Sequence, residues 1–255
     1  MTINPMHNIG KFFLTVSLSF CVFVSAGQVK KTVVKKTITS AKTKPIVKVK
    51  PKPPVTILPA KPVGVRVKIT TELGEIVIRL YDKTPMHRDN FVKLVNDRFY
   101  DSLLFHRIIA GFMIQGGDPE SKQAMPDVML GKGDVGYTIP SEFDSSLYHK
   151  KGALAAARTN NPEKASSGCQ FYLVQGKKFS DEELDMITIQ TGVYFSPARR
   201  MTYKMLGGTP KLDMNYTVFG EVENGIEVVD KIAQVQKNGY DRPLKDVLMK
   251  MEVVK

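Results

Sequence analysis

From Val65 to Leu80 apolar and polar residues alternate, with Val65, Val67 and Ile69 in one row and Ile76, Ile78 and Leu80 in a second, after a break at Leu73-Gly74. A period of two turns one row of side chains toward a core and the other toward solvent, so the pattern predicts two strands joined by a glycine-bearing turn. At Thr84-Pro85 the period changes. Phe91, Leu94 and Val95 fall on one face at helical spacing, which predicts an amphipathic helix from Met86 to about Asn96, with Thr84 as its cap and Pro85 in its first turn. Alternation then returns in Leu103–Ile108 and Phe112–Gly116, where Phe105, Arg107 and Ile109 share a row and the chain turns near Gly111. Ala153–Arg158, Gln170–Val174 and Val218–Val222 read as further strands, followed by a helix from Ile226 to about Val235 and a closing strand from Val247 to Val254. Many short strands with two main helices predict a mainly β domain, a closed antiparallel barrel capped by two α-helices. Residues 176–208 form a long connection, and Ser180 followed by Asp181, Glu182 and Glu183 marks a capped helix start, so a helical insertion is expected there.

The first 62 residues follow a different pattern. Phe12 to Ala26 is apolar or small, preceded by Lys11 and ended by Val24-Ser25-Ala26, which describes a secretory signal peptide over residues 1–26. The run is shorter than the roughly 20 residues of a typical membrane span; left uncleaved, it would act as an anchor. Residues 27–62 are rich in lysine and carry prolines at 45, 51, 53, 54, 59 and 62, which block helix and keep the tract extended as a basic linker.

The net charge of +12 resides in this leader, since Lys11 and ten lysines between Lys30 and Lys61 precede the first acidic residue, Glu72. From Val63 onward 26 basic residues face 25 acidic ones, so the globular part, residues 63–255, offers no excess of positive charge for nucleic acid. The lysine tract is then a tether, or an electrostatic contact to an anionic envelope surface. The expected location is outside the cytoplasm, in the periplasm. Only Cys21 and Cys169 occur, and Cys21 lies in the segment expected to be removed. No disulfide framework or cysteine-based zinc site follows, and Cys169 is expected to be a small buried hydrophobe. His87 and His149 stand without ligand spacing, Gly131-Lys132-Gly133 and Gly207-Gly208 lack the spacing of a phosphate loop, and neither a metal nor a cofactor is expected.

Candidate chemistry concentrates in Phe105 to Asp118, where an arginine, a glutamine and a Phe-Met pair lie between glycines. The polar members suit a peptide backbone and the apolar ones a small greasy pocket. This run resembles the signature of the cyclophilin peptidyl-prolyl isomerases. Leu73-Gly74-Glu75-Ile76, Thr84-Pro85 with Asn90-Phe91, Ser166 to Tyr172, and Tyr216-Thr217-Val218-Phe219-Gly220 are similar to further motifs of that family, in the same order. The resemblance covers most of residues 65–255. It implies an eight-stranded antiparallel barrel closed by two helices, with the active groove on its outer face. The insertion at 176–208 departs from compact members.

Rotation about an X-Pro bond faces a barrier of about 18–20 kcal/mol, and a fixed donor aimed at the proline nitrogen of the twisted state lowers it without a nucleophile or cofactor. The resemblance assigns that role to Arg107, with Gln115 holding both Arg107 and the substrate backbone. It places Phe112, Met113, Tyr172 and Leu212 around the proline ring, Gln170 and Tyr216 beside it, and Ala157 and Arg158 on the strand that pairs with the substrate. The Tyr172 hydroxyl is expected at the pocket rim, and His106 is expected on the face opposite Arg107, as a structural residue. Lys211 stands where cyclosporin-sensitive members carry tryptophan, which implies weak cyclosporin binding. The expected partners are extended, proline-containing segments of unfolded polypeptides. The alternative to an isomerase is a non-catalytic proline-peptide binder or chaperone that uses the same groove.

Overall fold

The structure is a computed structural model and describes residues 64–126 and 128–254. The expectations for residues 1–26 and 27–62 lie outside the described residues. Ten strands and four helices follow in chain order: β1 Arg66–Thr71, β2 Gly74–Leu80, α1 Pro85–Asn96, β3 Leu103–Ile109, β4 Met113–Gly116, β5 Thr138–Ile139, β6 Ala153–Ala156, β7 Ser166–Ser167, β8 Phe171–Val174, α2 Asp181–Thr191, α3 Pro197–Met205, β9 Val218–Asn224, α4 Ile226–Ala233 and β10 Leu248–Val254. Eight of the strands close a barrel in the order β1-β10-β3-β4-β8-β6-β9-β2, every pairing antiparallel. Closure leaves no free strand edge in the barrel. The remaining pair, β5 and β7, forms a two-stranded ribbon that the sequence pattern did not reveal.

The alternating rows behave as their period requires. Val67 pairs with Ile78 and Ile69 with Ile76, all four fully buried, while Arg66 and Lys68 point outward to Glu223 and Glu252. The hairpin turn falls at Glu72-Leu73, one residue earlier than expected, because Thr71 pairs directly with Gly74. Gly74 has φ +138°, and a Cβ there would collide with the Val228 side chain, so α4 can lie against the hairpin only over a glycine.

Aromatic rings fill the barrel's interior. Phe171 meets Phe91, Tyr100 and Phe105 edge-on, with centroids 5.5, 5.6 and 6.1 Å apart. Helix α1 supplies Phe91, Leu94 and Val95 to this core, as its spacing predicts. Its cap differs from expectation. Thr84 adopts φ −127° and ψ 63° and makes no side-chain cap; the Glu142 carboxylate accepts from the amides of Met86 and His87 at 3.1 and 2.9 Å. A carboxylate suits that end of a helix, where unpaired N–H groups and the dipole favour negative charge.

The insertion consists of two helices. Ser180 and Glu183 form the expected capping box at the start of α2, and Gly192 ends that helix with φ +72°. Leu184, Ile187, Phe195 and Tyr203 make a small separate core. Arg200 and Lys204 of α3 pair with Asp181 of α2 across the helix pair. The insertion's two ends meet where Lys177 and Gly208 exchange main-chain hydrogen bonds of 3.3 and 2.9 Å.

Candidate active site

Arg107 owes its position to a β-bulge. Phe105 pairs with Gly116 and Arg107 with Gln115, so His106 is an extra residue in β3. A bulge breaks strict alternation. Phe105 and Ile108 therefore both enter the core while Arg107 is exposed on the outer face, contrary to a shared row of Phe105, Arg107 and Ile109. His106 is buried where Arg107 is exposed, in keeping with a structural residue. Its ring packs beneath Gly131, where a Cβ on that glycine would stand 3.6 Å from Nε2. Burial pushes the His106 pKa down to about 4, with Asp118 opposing and Arg107 reinforcing the shift. The imidazole is neutral at pH 7.

A row of amides orients the guanidinium. Arg107 Nη1 donates to Gln115 Oε1 at 3.3 Å, and Gln115 Nε2 donates to Gln170 Oε1 at 2.9 Å. Gln170 Nε2 in turn donates to the carbonyls of Gly131 and Gly133 at 3.2 and 2.7 Å. The last two contacts fix both amide orientations, since an amide offers a donor at one end and an acceptor at the other. They also tie the Gly131-Lys132-Gly133 turn to the site. Asp118, fully buried, anchors the same loop by accepting from the amides of Glu120 and Gly131.

Beside Arg107 the outer faces of β4, β8, β6 and β9 carry an apolar layer of Met113, Tyr172, Ala155 and Val218, against which Phe112, Leu212 and Tyr216 pack. Between this layer and Arg107 lies a pocket of about 280 Å³. The structure brings Arg107, Gln115, Phe112, Met113, Ala157, Arg158, Tyr172, Leu212 and Tyr216 together around it. Gln170 stands behind Gln115 and lines an adjoining recess with Ala157 and Arg158. Leu130 and Gly131 complete the pocket wall; the sequence marks this stretch only as a glycine turn, and it reaches the site through tertiary contacts with Asp118, Gln170 and His106.

Two expectations are corrected in detail. The Tyr172 hydroxyl does not sit at the rim; it is buried and bonded to His149 Nε2 at 2.9 Å. His149 Nδ1 faces Asp213 Oδ1 at 2.9 Å, and Tyr203 of α3 donates to Asp213 Oδ2 at 2.7 Å. His149, which looks isolated in sequence, thus links the pocket wall to the insertion. His87 is likewise engaged, with Glu142 at 2.6 Å and Ser166 at 2.9 Å. The main-chain pairing expected of Ala157 and Arg158 is also narrower. Ala157 already donates to Gln170 O and accepts from Ser167 N, and β6 stops at Ala156. Arg158 is folded over the Tyr216 ring at 4.7 Å and donates to Asn215 O at 2.9 Å. Cys169 is buried in the barrel core, and burial pushes its thiol up to about 11, so it is inert as expected.

Residues 66–253 match the family described as cyclophilin type peptidyl-prolyl cis-trans isomerase/CLD. The chain belongs to this family. It is 33% identical over 186 residues to a putative peptidyl-prolyl cis-trans isomerase of Staphylococcus aureus (strain COL), covering 72% of this chain and 89% of that one. It is 36% identical over 191 residues to a putative bifunctional phosphatase/peptidyl-prolyl cis-trans isomerase of Streptococcus pyogenes serotype M6, where the match spans 73% of this chain and only 38% of the longer protein. In fold it is similar to a cyclophilin type peptidyl-prolyl cis-trans isomerase of Cryptosporidium parvum, with a TM-score of 0.58 and 21% identity, covering 76% of this chain and 99% of that one. This cyclophilin-type domain therefore has the family's isomerase activity, on a barrel that carries α2 and α3 between β8 and β9. Lys211, exposed on the short turn Pro210–Leu212, does not line this pocket; it borders an adjoining depression that shares Phe112 and Leu212 with it.

Proposed function

We propose that the pocket lowers the barrier to X-Pro rotation by pointing Arg107 at the proline nitrogen of the twisted state. The observation that carries this reading is an exposed guanidinium, held by Gln115 at 3.3 Å, beside an apolar pocket of about 280 Å³. Twisting the imide localises a lone pair on nitrogen, and a permanently charged planar donor stabilises that lone pair more than it does either planar ground state. Phe112, Met113, Tyr172 and Leu212 hold the pyrrolidine ring with Tyr216 beside it, and Gln115 meets the substrate backbone. A relative in the same fold was crystallised in the presence of the dipeptide Ala-Pro, which supports a proline-containing ligand here. The substrates are extended segments of unfolded polypeptides. The apolar run before Ala26 and the lysine tract behind it support clients outside the cytoplasm, near an anionic surface. Recovery of the mature chain in the cytosolic fraction would overturn that placement. With an ammonium at Lys211 in place of an aromatic face, cyclosporin binds weakly.

An isomerisation assay on a short X-Pro peptide tests the central claim. Arg107→Ala lowers kcat/KM by about 10²–10³-fold, the usual effect of removing one preorganised donor. Equal rates in the two proteins would leave Arg107 without a catalytic role.

A further inference from the structure

Next to the proline pocket lies a second, larger depression of about 510 Å³, built by the insertion. Helix α2 forms one wall with Met186, Ile187 and Gln190; Thr209 and Pro210 form the other. Phe112 and Leu212 line both this groove and the proline pocket, so the two are contiguous. At its edge Lys177 pairs with Glu183 at 2.7 Å and covers the Phe179 ring at 4.9 Å, and Lys211 adds an exposed ammonium. The interior is left apolar. Thr209 adds a buried hydroxyl that has no hydrogen-bond partner among the described residues.

We infer that this groove is a second subsite for the same polypeptide, taking a large apolar side chain close to the proline. The inference rests on the reading of the neighbouring pocket as the proline site. In an extended chain, side chains on one face recur about every 6.6–6.8 Å, so a residue two positions from a bound proline faces the adjoining depression. The shared walls favour the substrate's own chain over a separate partner, because anything seated in the groove abuts whatever fills the pocket. Met186 is 55% exposed over the groove, and an unbranched thioether adapts to side chains of different shape. The insertion also exposes Ile189, Met201, Met205 and Leu206, an apolar surface of the kind that marks contact with other polypeptides. The substrate class is thus an X-Pro segment flanked by leucine, phenylalanine or methionine, the composition of a chain before it has buried its core.

The test uses the full chain and a set of X-Pro peptides in which Leu, Gly or Glu occupies each position from three before to three after the proline. Wild type prefers Leu to Gly at one such position by about tenfold in kcat/KM, as an apolar subsite allows. Met186→Glu collapses that Leu-to-Gly ratio to near one. Ile189→Glu, which adds the same charge to α2 outside the groove, keeps the wild-type ratio. A flat profile at every position overturns the inference, as does a ratio that survives Met186→Glu or is lost equally in Ile189→Glu. Arg107→Ala separates the two claims. If it abolishes activity while the profile is flat, only the second subsite falls; if it leaves the rate unchanged, the reading of the proline pocket falls first.

Discussion

In the barrel, Phe91, Tyr100 and Phe105 surround Phe171 and leave it 1% exposed. In the insertion, Leu184, Ile187, Phe195 and Tyr203 are the buried members of a small core against which Tyr148, Phe179 and Val193 pack, while Met186, Ile189, Tyr194 and Met201 remain in water. The barrel closes its sheet and buries one face of every strand, so its outer face is a rigid platform on which Arg107, Gln115 and Gln170 can be held by one another. The insertion is a layer laid beside that platform and fastened through Gly208 and through Arg199 and Tyr203, which both meet Asp213. Sites that need fixed geometry belong on the first kind of element, and adaptable contact surfaces on the second. The placement of the guanidinium on β3 and of the apolar groove on α2 agrees with that division.

Core truncation puts the division under the greatest load. Phe171→Ala removes a ring enclosed on three sides by other rings and lowers unfolding free energy by about 3–5 kcal/mol, measured by denaturant titration. A loss below about 1 kcal/mol would mean that the barrel relaxes as easily as a surface layer and would erase the contrast.

Acid is a gentler probe and separates the two regions by pH. His106, under the Gly131 loop on the barrel, has its pKa pushed down to about 4 from an ordinary 6.5, and burial also lowers that of His87 against the pull of Glu142. The unfolded chain takes up these protons near pH 6.5 and the native barrel does not, so barrel stability is complete above that value and declines as pH falls toward 4. In the insertion, Lys204 and Arg200 hold Asp181 below the usual carboxylate range. That contribution is present above the ordinary aspartate value and is lost only as pH falls below about 4. Thermal melts followed by far-UV circular dichroism therefore show Tm dropping between pH 6.5 and 4.5, with a shallower drop in His106→Leu. Parallel slopes in the two proteins would remove His106 from this account.

Much of this contrast was legible in the chain, for identifiable reasons. The rows Val67, Ile69 and Ile76, Ile78 carry their strand period openly, and Ser180 with Glu183 carries a local cap, so the barrel strands and the start of α2 follow from neighbours in sequence. The bulge at His106 was hidden, since an extra residue leaves no mark in a run that is apolar on both sides of it. So were the Glu142 cap on α1 and the Tyr172–His149–Asp213 contacts. They join residues 55, 23 and 64 positions apart, and only tertiary folding brings them together. Arg107, Phe112, Met113 and Gln115 were visible because one hairpin supplies all four; Leu130 and Gly131 were not, because their loop reaches the pocket through tertiary contacts with Asp118, Gln170 and His106.

The smallest expected effect is the most informative about how the two regions are joined. Tyr203 lies on α3 and donates to Asp213, whose other oxygen serves His149, whose far nitrogen meets the Tyr172 hydroxyl on the pocket wall. Tyr203→Phe removes one hydrogen bond to a carboxylate, worth about 1–3 kcal/mol, and leaves Asp213 with the main-chain N–H and ring of His149 and with the Arg199 guanidinium of α3 at 3.6 Å. If the insertion is an appended layer, the loss appears there first. Amide exchange in α2 and α3 accelerates by about tenfold or more, while the slowest amides of β8 keep their protection. If instead the exchange of β8 accelerates by the same factor, the insertion and barrel unfold as one unit, and the buried chain from Tyr203 to Tyr172 is a structural member of the barrel rather than its link to a looser neighbour.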